Sequence, residues 1–445
     1  MPFQQGTRLP GEYSGKLNHL DVLNSELVKE LIKQFEYPAS PPTQHTTLEW
    51  VPFIDTSISP LRLIFAVDGS LQSVQSETVP FREVAFIKTA LMRLDPQVIA
   101  GLDPEYPHPV EMKRMMEQSA LYHSTVLPLK NVIVPGYRNL DAVRKIIYES
   151  IRNDPRMEGL PFETLQWLLH AKWANPALPS PDFSCPHCMK DVLGFPVDVD
   201  EMTCPHCGGH LYLTDVIGFH MEMLEDTASQ GLASSYMLIH ETLTLFSAIK
   251  YFWDHDKSCL VDALFIKDGP LNLRSQYSKI VPRIRAFFQH AKDHGYPVHL
   301  IGQEKSGVFF DHLSGLERFV PPLHRDDSPT YALLSHSYIR EEIQRTPDLS
   351  NPYGLRTNYG EKIFVKMNPY HSMILNVPVG LYVHDVDFPS VMSDLIGFDR
   401  IMATLPSLLS HRYQGGLLPI ELAHGVASLA SYPSAKVLKV FAGLG

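Results

Sequence analysis

The sequence has few cysteines, no long apolar run and no excess of positive charge. No stretch approaches the 18 uninterrupted apolar residues of a membrane span. The first six residues, Met1 to Gly6, lack the basic and apolar regions of a signal peptide, so we expect a cytoplasmic protein without a membrane. There is no internal repeat, and no phosphate-binding loop of the form G-x-x-x-x-G-K-[ST], which argues against a P-loop ATPase.

The charge balance is acidic, with 38 Lys and Arg against 49 Asp and Glu and a formal net charge of -11. Proteins that coat nucleic acid nonspecifically depend on many Lys and Arg contacts to phosphate, so this balance disfavours that class. It leaves a nuclease open, because a site that holds cations is itself acidic. With 44% hydrophobic residues in 445, the chain has enough apolar surface for a sizeable core.

Four of the five cysteines form two short pairs, Cys185-Pro-His-Cys188 and Cys204-Pro-His-Cys207. Two C-x2-C knuckles at this separation are typical of a zinc ribbon, in which four thiolates surround Zn²⁺. A closed four-sulfur site has no open position for water, so we expect structural zinc in a reduced compartment. The knuckle histidines, His187 and His206, are expected to face outward. Cys259 is interpreted as a small buried residue.

Apolar periodicity predicts an α/β fold with a mixed sheet flanked by helices. Residues 1–60 are interpreted as an accessory segment with one helix, and residues 61–445 as the main domain. A helical insertion is expected at about 100–180 and the zinc ribbon at about 181–215. The predicted elements are a helix at 21–35, strands at 61–67, 82–89, 260–267 and 297–301, helices at 142–152, 162–173, 234–253, 280–294 and 417–430, and an antiparallel pair at 361–367 and 372–379.

Two apolar strands are each followed by an aspartate and a glycine, Asp68-Gly69 and Asp268-Gly269. Ligands gather at the carboxyl ends of strands in open α/β sheets, so adjacent parallel strands would bring the two carboxylates together. An Asp-Gly pair is also an ordinary turn, which leaves the turn interpretation open for either one.

Glu241 and His424 complete the candidate site. Glu241 lies on the apolar stripe of a predicted helix, where a carboxylate is costly to bury unless a cation pairs with it. Three other acids compete for this role: Glu225, Asp226 and Asp262. His424 follows Leu-Pro-Ile-Glu-Leu-Ala; as a lone histidine on an apolar helix face it can equally be a hydrogen-bonded core residue. Three acids and a histidine suit hydrolysis of phosphodiesters with Mn²⁺ or Mg²⁺.

In order along the chain, Val-Asp-Gly-Ser, Lys-Asp-Gly-Pro-Leu and Leu-Pro-Ile-Glu-Leu-Ala-His resemble the signature blocks of the NurA nuclease domain. The resemblance extends over about residues 61–430. Carried over position by position, Asp68 and Asp268 match the metal-binding aspartates, Glu241 the helical glutamate and His424 the C-terminal histidine. The sequence separation of 27 residues from Glu241 to Asp268 exceeds the spacing expected for the family.

The resemblance implies a ribonuclease-H-like fold and manganese-dependent cleavage of DNA. It also implies a homodimer that docks on a hexameric HerA-type ATPase, in DNA end processing or in defence against phage. Lys305 is similar to a lysine in a small strand-end segment of the family, which makes it a candidate DNA contact. Tyr413 stands too far from the family's tyrosine position to be assigned.

Two alternatives stay open at this stage. A PIWI-like guide-dependent nuclease would share the fold, the Asp-Gly pairs and a late histidine, although no guide-end-binding region is evident. A catalytically silent docking subunit of an ATPase complex would form the complex without binding manganese.

Overall fold

A computed structural model describes the protein over residues 22–34, 48–53, 57–94, 120–223, 228–316, 329–345, 353–380, 392–410, 415–429 and 434–444. The chain divides into two units, Met1–Thr47 and Leu48–Gly445. Within the first, helix α1 (Glu26–Lys33) begins at Ser25, whose side chain accepts a hydrogen bond from the Val28 amide. This confirms a helix in the predicted range 21–35.

The second unit contains a large mixed sheet and two small hairpins. The strands are β1 (Val51–Pro52), β2 (Leu63–Gln75), β3 (Glu83–Leu94), β4 (Ala120–Lys130), β5 (Phe183–Ser184), β6 (Asp191–Val192), β7 (Glu201–Thr203), β8 (His210–Tyr212), β9 (Ala263–Asp268), β10 (His299–Glu304), β11 (Thr330–Leu333), β12 (Gly360–Asn368) and β13 (His371–Pro378). The large sheet has the order β1-β11-β12-β13-β10-β9-β2-β3-β4. The α/β prediction with a mixed sheet is confirmed.

The centre of the sheet is parallel and its flanks are antiparallel. β9 pairs in parallel with β2 on one side and β10 on the other, with Val67 opposite Lys267 and Gln303 opposite Asp268. β2, β3 and β4 form an antiparallel meander, and β12 pairs with β13 as predicted. The carboxyl end of β9 therefore lies beside the middle of β2, and the carboxyl end of β10 lies on the other side of β9.

Helices cover both faces of this sheet. They are α2 (Asn139–Arg152), α3 (Leu160–Leu169), α4 (Gln230–His255), α5 (Lys257–Val261), α6 (Val281–Asp293), α7 (Val308–Leu316), α8 (Phe398–Thr404), α9 (Leu418–Ala427) and α10 (Ser434–Phe441), with a short helix His336–Tyr338 that continues as a π-turn, Ile339–Gln344. Side chains alternate along β2: Phe65 and Val67 pack in the core beneath α4, while Ile64 and Ala66 pack in the core beneath α9. The two faces thus bury separate hydrophobic clusters.

Three predictions about organisation need correction. The segment at 100–180 is not a wholly helical insertion, because β4 is a strand of the large sheet. β2 does not end at Asp68 but continues to Gln75 as one arm of a hairpin with β3. Residues 48–60, assigned from sequence to the accessory segment, belong to the second unit, where β1 pairs with β11.

None of the helices in the described ranges combines the length and the apolar character needed to cross a membrane.

Candidate metal centres

The four knuckle cysteines converge on one point. Their sulfurs all lie within 4.8 Å of one another, with Cys185 Sγ 3.8 Å from Cys207 Sγ and Cys188 Sγ 3.9 Å from Cys204 Sγ. Four sulfurs at about 2.3 Å from a tetrahedral zinc are about 3.8 Å apart, whereas a disulfide requires about 2.05 Å. The sulfur geometry therefore fits a structural metal ion such as zinc.

The two knuckles have the same local geometry. The amide of His187 donates to Cys185 Sγ and that of His206 donates to Cys204 Sγ, each over 3.4 Å. His187 does not face outward as expected: its Nε2 lies 3.1 Å from Arg144 Nη1, and 3.1 Å from the carbonyl oxygen of His210. The histidine therefore joins the ribbon to α2.

The ribbon is not a spatially separate module. Cys185 and Cys204 belong to the same hydrophobic cluster as the α4 face of the large sheet. Arg144 on α2 is buried and donates two hydrogen bonds to Asp215, of 2.9 and 2.6 Å. Ribbon and sheet therefore share one core.

The second candidate centre is acidic and begins with Asp68. In the alternation of β2 this residue faces α9, and it is 5% exposed. Oδ1 accepts a hydrogen bond of 2.8 Å from the Gly69 amide, and Oδ2 accepts one of 2.7 Å from His424 Nδ1 on α9. His424 keeps 62% of its side chain exposed, so its other ring nitrogen is accessible from solvent.

Asp268 ends β9 on the same face of the sheet as Asp68. Gly269, which follows it, has a φ of +86°, a conformation that glycine adopts without strain, and the chain turns away from the sheet there. The carboxylate of Asp268 lies 3.1 Å from Lys305 Nζ, just beyond β10. Both side chains are partly exposed, so this side of the site is open.

Glu241 approaches from the opposite face of the sheet, on α4. Its Oε1 lies over Gly69: a Cβ built at that glycine would be 2.4 Å from the oxygen, so any larger residue would force the carboxylate to move away. Glycine at 69 therefore admits the carboxylate to the strand that carries Asp68. The other oxygen, Oε2, lies 3.1 Å from Lys267 Nζ, and both side chains are buried.

The pKa values of the acidic centre are shifted because several carboxylates lie close together in a buried region. Burial raises the pKa of Asp68, and the nearby Asp268 raises it further. Burial likewise raises the pKa of Glu241 to about 7, against the opposing effect of Lys267. Burial alone would lower the pKa of Lys267, but its attraction to Glu241 raises it, so the lysine is charged. A divalent cation would relieve this accumulation of negative charge.

Asp68, Asp268 and His424, predicted from sequence, thus meet on one face of the sheet at the carboxyl end of β9, with Lys305 beside them. Glu241, also predicted, reaches the same strand ends from the other face. The donor atoms of these residues are not gathered as tightly as the sulfurs: among the described residues, the cysteines alone form a group of three or more potential ligands within 4.8 Å. Each carboxylate instead has a nitrogen partner, His424 for Asp68, Lys267 for Glu241 and Lys305 for Asp268.

The competing acids do not join this group. Asp262 precedes β9, at the opposite end of the strand, and pairs with Arg62 and Arg400. Glu225, Asp226 and Tyr413 lie outside the described residues.

Sequence reasoning missed two polar residues of the site. Lys267 was assigned only to an apolar strand. Gln303 lies beside Asp268 on β10; its side-chain nitrogen donates to the Gly415 carbonyl, and its buried Oε1 has no hydrogen-bond partner among the described residues. The oxygen donors of the site, including this amide, suit Mn²⁺ or Mg²⁺.

Comparisons with known families and with curated proteins find no match to the sequence.

Proposed function

We propose that this protein is a metal-dependent deoxyribonuclease of the NurA type, with a ribonuclease-H-like sheet and Mn²⁺ or Mg²⁺ held by Asp68, Asp268, Glu241 and His424. The observation that carries the proposal is the hydrogen bond between Asp68 and His424, 356 residues apart, at the edge where Asp268 ends its strand. Those residues stand in the blocks that resemble the family. The order β4-β3-β2-β9-β10, an antiparallel meander continued by the parallel strands β9 and β10, supports the ribonuclease-H-like assignment.

In this proposal each residue has a role that its position supports. Asp68 and Asp268 present carboxylate oxygens from one face of the sheet, and Glu241 reaches the same edge over Gly69. A bound cation would activate water and stabilise charge on the leaving oxygen. His424, tethered to Asp68 through Nδ1, has a solvent-accessible ring that can move a proton. Lys305, also partly exposed, would contact a DNA phosphate.

Amide substitutions test the assignment. We expect Asp68→Asn and Asp268→Asn to lower Mn²⁺-dependent cleavage of linear DNA roughly 10²- to 10³-fold or more, the loss typical when one group that stabilises transition-state charge is removed. Asp254→Asn is the matched control, because Asp254 is on α4 but pairs with Lys250 at the surface. Cleavage at the wild-type rate by either site variant would overturn the proposal.

A silent docking subunit is the second candidate, and one observation favours it. All three carboxylates already have nitrogen partners within 3.1 Å, so side chains offset part of the charge that a metal would neutralise. Mn²⁺ titration of zinc-loaded protein separates the two functions. A nuclease binds manganese at the acidic site, whereas a silent subunit does not and still forms its complex.

The partner proposal is a homodimer that binds a HerA-like hexameric ATPase in the cytoplasm. Its support is the family resemblance, together with the net charge of -11, which predicts a weak electrostatic hold on long DNA. A translocase would raise the effective concentration of DNA at the site. Co-expression with a HerA-type ATPase and size-exclusion chromatography should give one complex with ATP-dependent degradation of duplex DNA. Separate elution with an unchanged rate would refute the partnership but not the nuclease.

A further inference from the structure

Lys267 is an unusual residue for the interior of a central strand. Its side chain has no exposed surface, and its ammonium lies 3.1 Å from Glu241 Oε2 and donates to the carbonyl oxygen of Asp268 over 3.0 Å. Burying an ammonium is costly unless oxygens replace its water, and these two oxygens do so. The group therefore stands where a cation would stand, between Glu241 and the end of β9.

From these contacts we propose that the Lys267 ammonium takes the place of a second metal ion, so that the acidic centre binds a single divalent cation. The inference rests on the proposed function, since it concerns the metal site of that nuclease. Two-metal sites share carboxylates between ions about 3.5–4 Å apart. Here one oxygen of Glu241 is already held by the lysine, and a second ion would compete for it.

Lys267 should win the competition with a second ion for Glu241, because its side chain cannot leave the buried site. Its strand is flanked by β2 and β10, and with no exposed surface its ammonium has no route to water that leaves the packing intact. A divalent ion that took Glu241 would strand the ammonium without its carboxylate. Lys305 differs in this respect: its side chain is 40% exposed, so it can turn into solvent when a metal binds Asp268.

The charge balance agrees with one ion. Asp68, Asp268 and Glu241 carry three negative charges, and Lys267 permanently offsets one of them. One divalent cation then neutralises the remaining two with Lys305 displaced, whereas a second divalent ion would leave a net positive charge in a largely buried place. His424 faces Asp68 rather than Lys267, so it contributes to the single site.

The test is a Mn²⁺ titration of zinc-loaded protein, with free and bound Mn²⁺ counted by electron paramagnetic resonance. We expect one Mn²⁺ per chain in the wild type, without the spin coupling of a close pair. Lys267→Met, which keeps the length of the side chain but removes its charge, should bind two and show coupling. Lys305→Met is the matched control and should bind one.

A double variant, Lys267→Met with Glu241→Gln, removes both charges of the pair and should return the count to one. If Lys267→Met alone does not fold, the double variant and the number of Mn²⁺ ions bound by the wild type still test the inference. Two coupled ions in the wild type, one ion in a folded Lys267→Met, or two in the double variant would each overturn the inference while leaving the nuclease proposal intact. No bound Mn²⁺ in the wild type would overturn both.

Discussion

The two candidate metal centres are assembled in opposite ways. In the ribbon, Cys185 and Cys207 are 22 residues apart, and the four sulfurs already have the separations that zinc requires. In the acidic centre, Asp68 and His424 are 356 residues apart, and each carboxylate is held by a nitrogen of the chain itself. The sulfur geometry of the ribbon fits a structural metal ion, whereas each carboxylate of the acidic centre is already paired with a nitrogen of the chain.

The largest effect that this difference predicts is the loss of the ribbon metal. Cys204→Ser should reduce zinc from about one equivalent to none and lower the free energy of unfolding by more than about 5 kcal/mol, because apparent zinc binding supplies about 10–16 kcal/mol in zinc-finger peptides. The effect should reach the whole unit, since Cys204 lies in the core beneath α4. Elemental analysis and thermal unfolding measure it.

Cys259→Ser is the control for that experiment. Cys259 lies outside the ribbon, where its thiol donates to Asp256 over 3.1 Å, and a serine hydroxyl can make the same bond. It should retain zinc and unfold as the wild type does. If Cys204→Ser keeps both zinc and wild-type stability, the ribbon is not a zinc site and the contrast between the two centres disappears.

The two centres also differ in how well the sequence predicts them, because one is assembled locally and the other from distant parts of the chain. The ribbon could be predicted because its ligands, spacing and turns are contiguous in the sequence. For the acidic centre, the apolar run before Asp68 predicted the first half of β2, but the largely polar residues 71–75 gave no sign that the strand continues. The strand continues because residues 71–75 pair with β3, and such a pairing cannot be read from the local sequence.

The partner of Glu241 could not be predicted from the sequence. Its position on an apolar stripe indicated a buried acid that needs a cation, and a metal ion was the expected partner. The structure provides Lys267, which is fully buried on β9, a central strand between β2 and β10. A lysine beside a strand end is usually solvated, so its sequence context could not reveal this burial. The orientation of His187 was missed for the same reason, since its contacts with α2 are tertiary.

A smaller effect is the loss of stability at low pH, which should arise from different groups at the two centres. Protons compete with zinc for the thiolates of the ribbon. The strand that leads to the acidic centre, β10, begins with His299, where burial and then Arg400 lower the pKa to about 4, opposed by Asp262. Because the folded state binds this proton more weakly than the unfolded state, the contribution of His299 is fully present above pH 6.5 and is lost as the pH falls towards 4.

This loss amounts to roughly 3 kcal/mol for one such histidine. His299→Gln should therefore lose less stability than the wild type between about pH 7 and 4.5, while acid release of zinc remains common to both. Urea unfolding at several pH values measures the difference. His294→Gln, at an exposed position, should follow the wild type. Equal slopes for His299→Gln and wild type would contradict the assignment.

The smallest effect is the most informative, because it should have the opposite sign to the cysteine variant. Asp68 is buried near Asp268, and both burial and that neighbour raise its pKa, so its charge is unfavourable in the metal-free fold. In the Asp68→Asn variant, the amide side chain removes the charge. It could still accept from the Gly69 amide and donate to His424 in the tautomer with Nδ1 unprotonated. We expect metal-free Asp68→Asn to gain on the order of 1 kcal/mol in unfolding free energy, a typical size for a single substitution.

Added Mn²⁺ should stabilise the wild type but not the variant, by the linkage between binding and folding. Denaturant unfolding with and without Mn²⁺, on zinc-loaded protein, measures both changes. A variant that is less stable than wild type without Mn²⁺ would mean that Asp68 holds the fold together as the cysteines do, and the contrast between the two centres would fail.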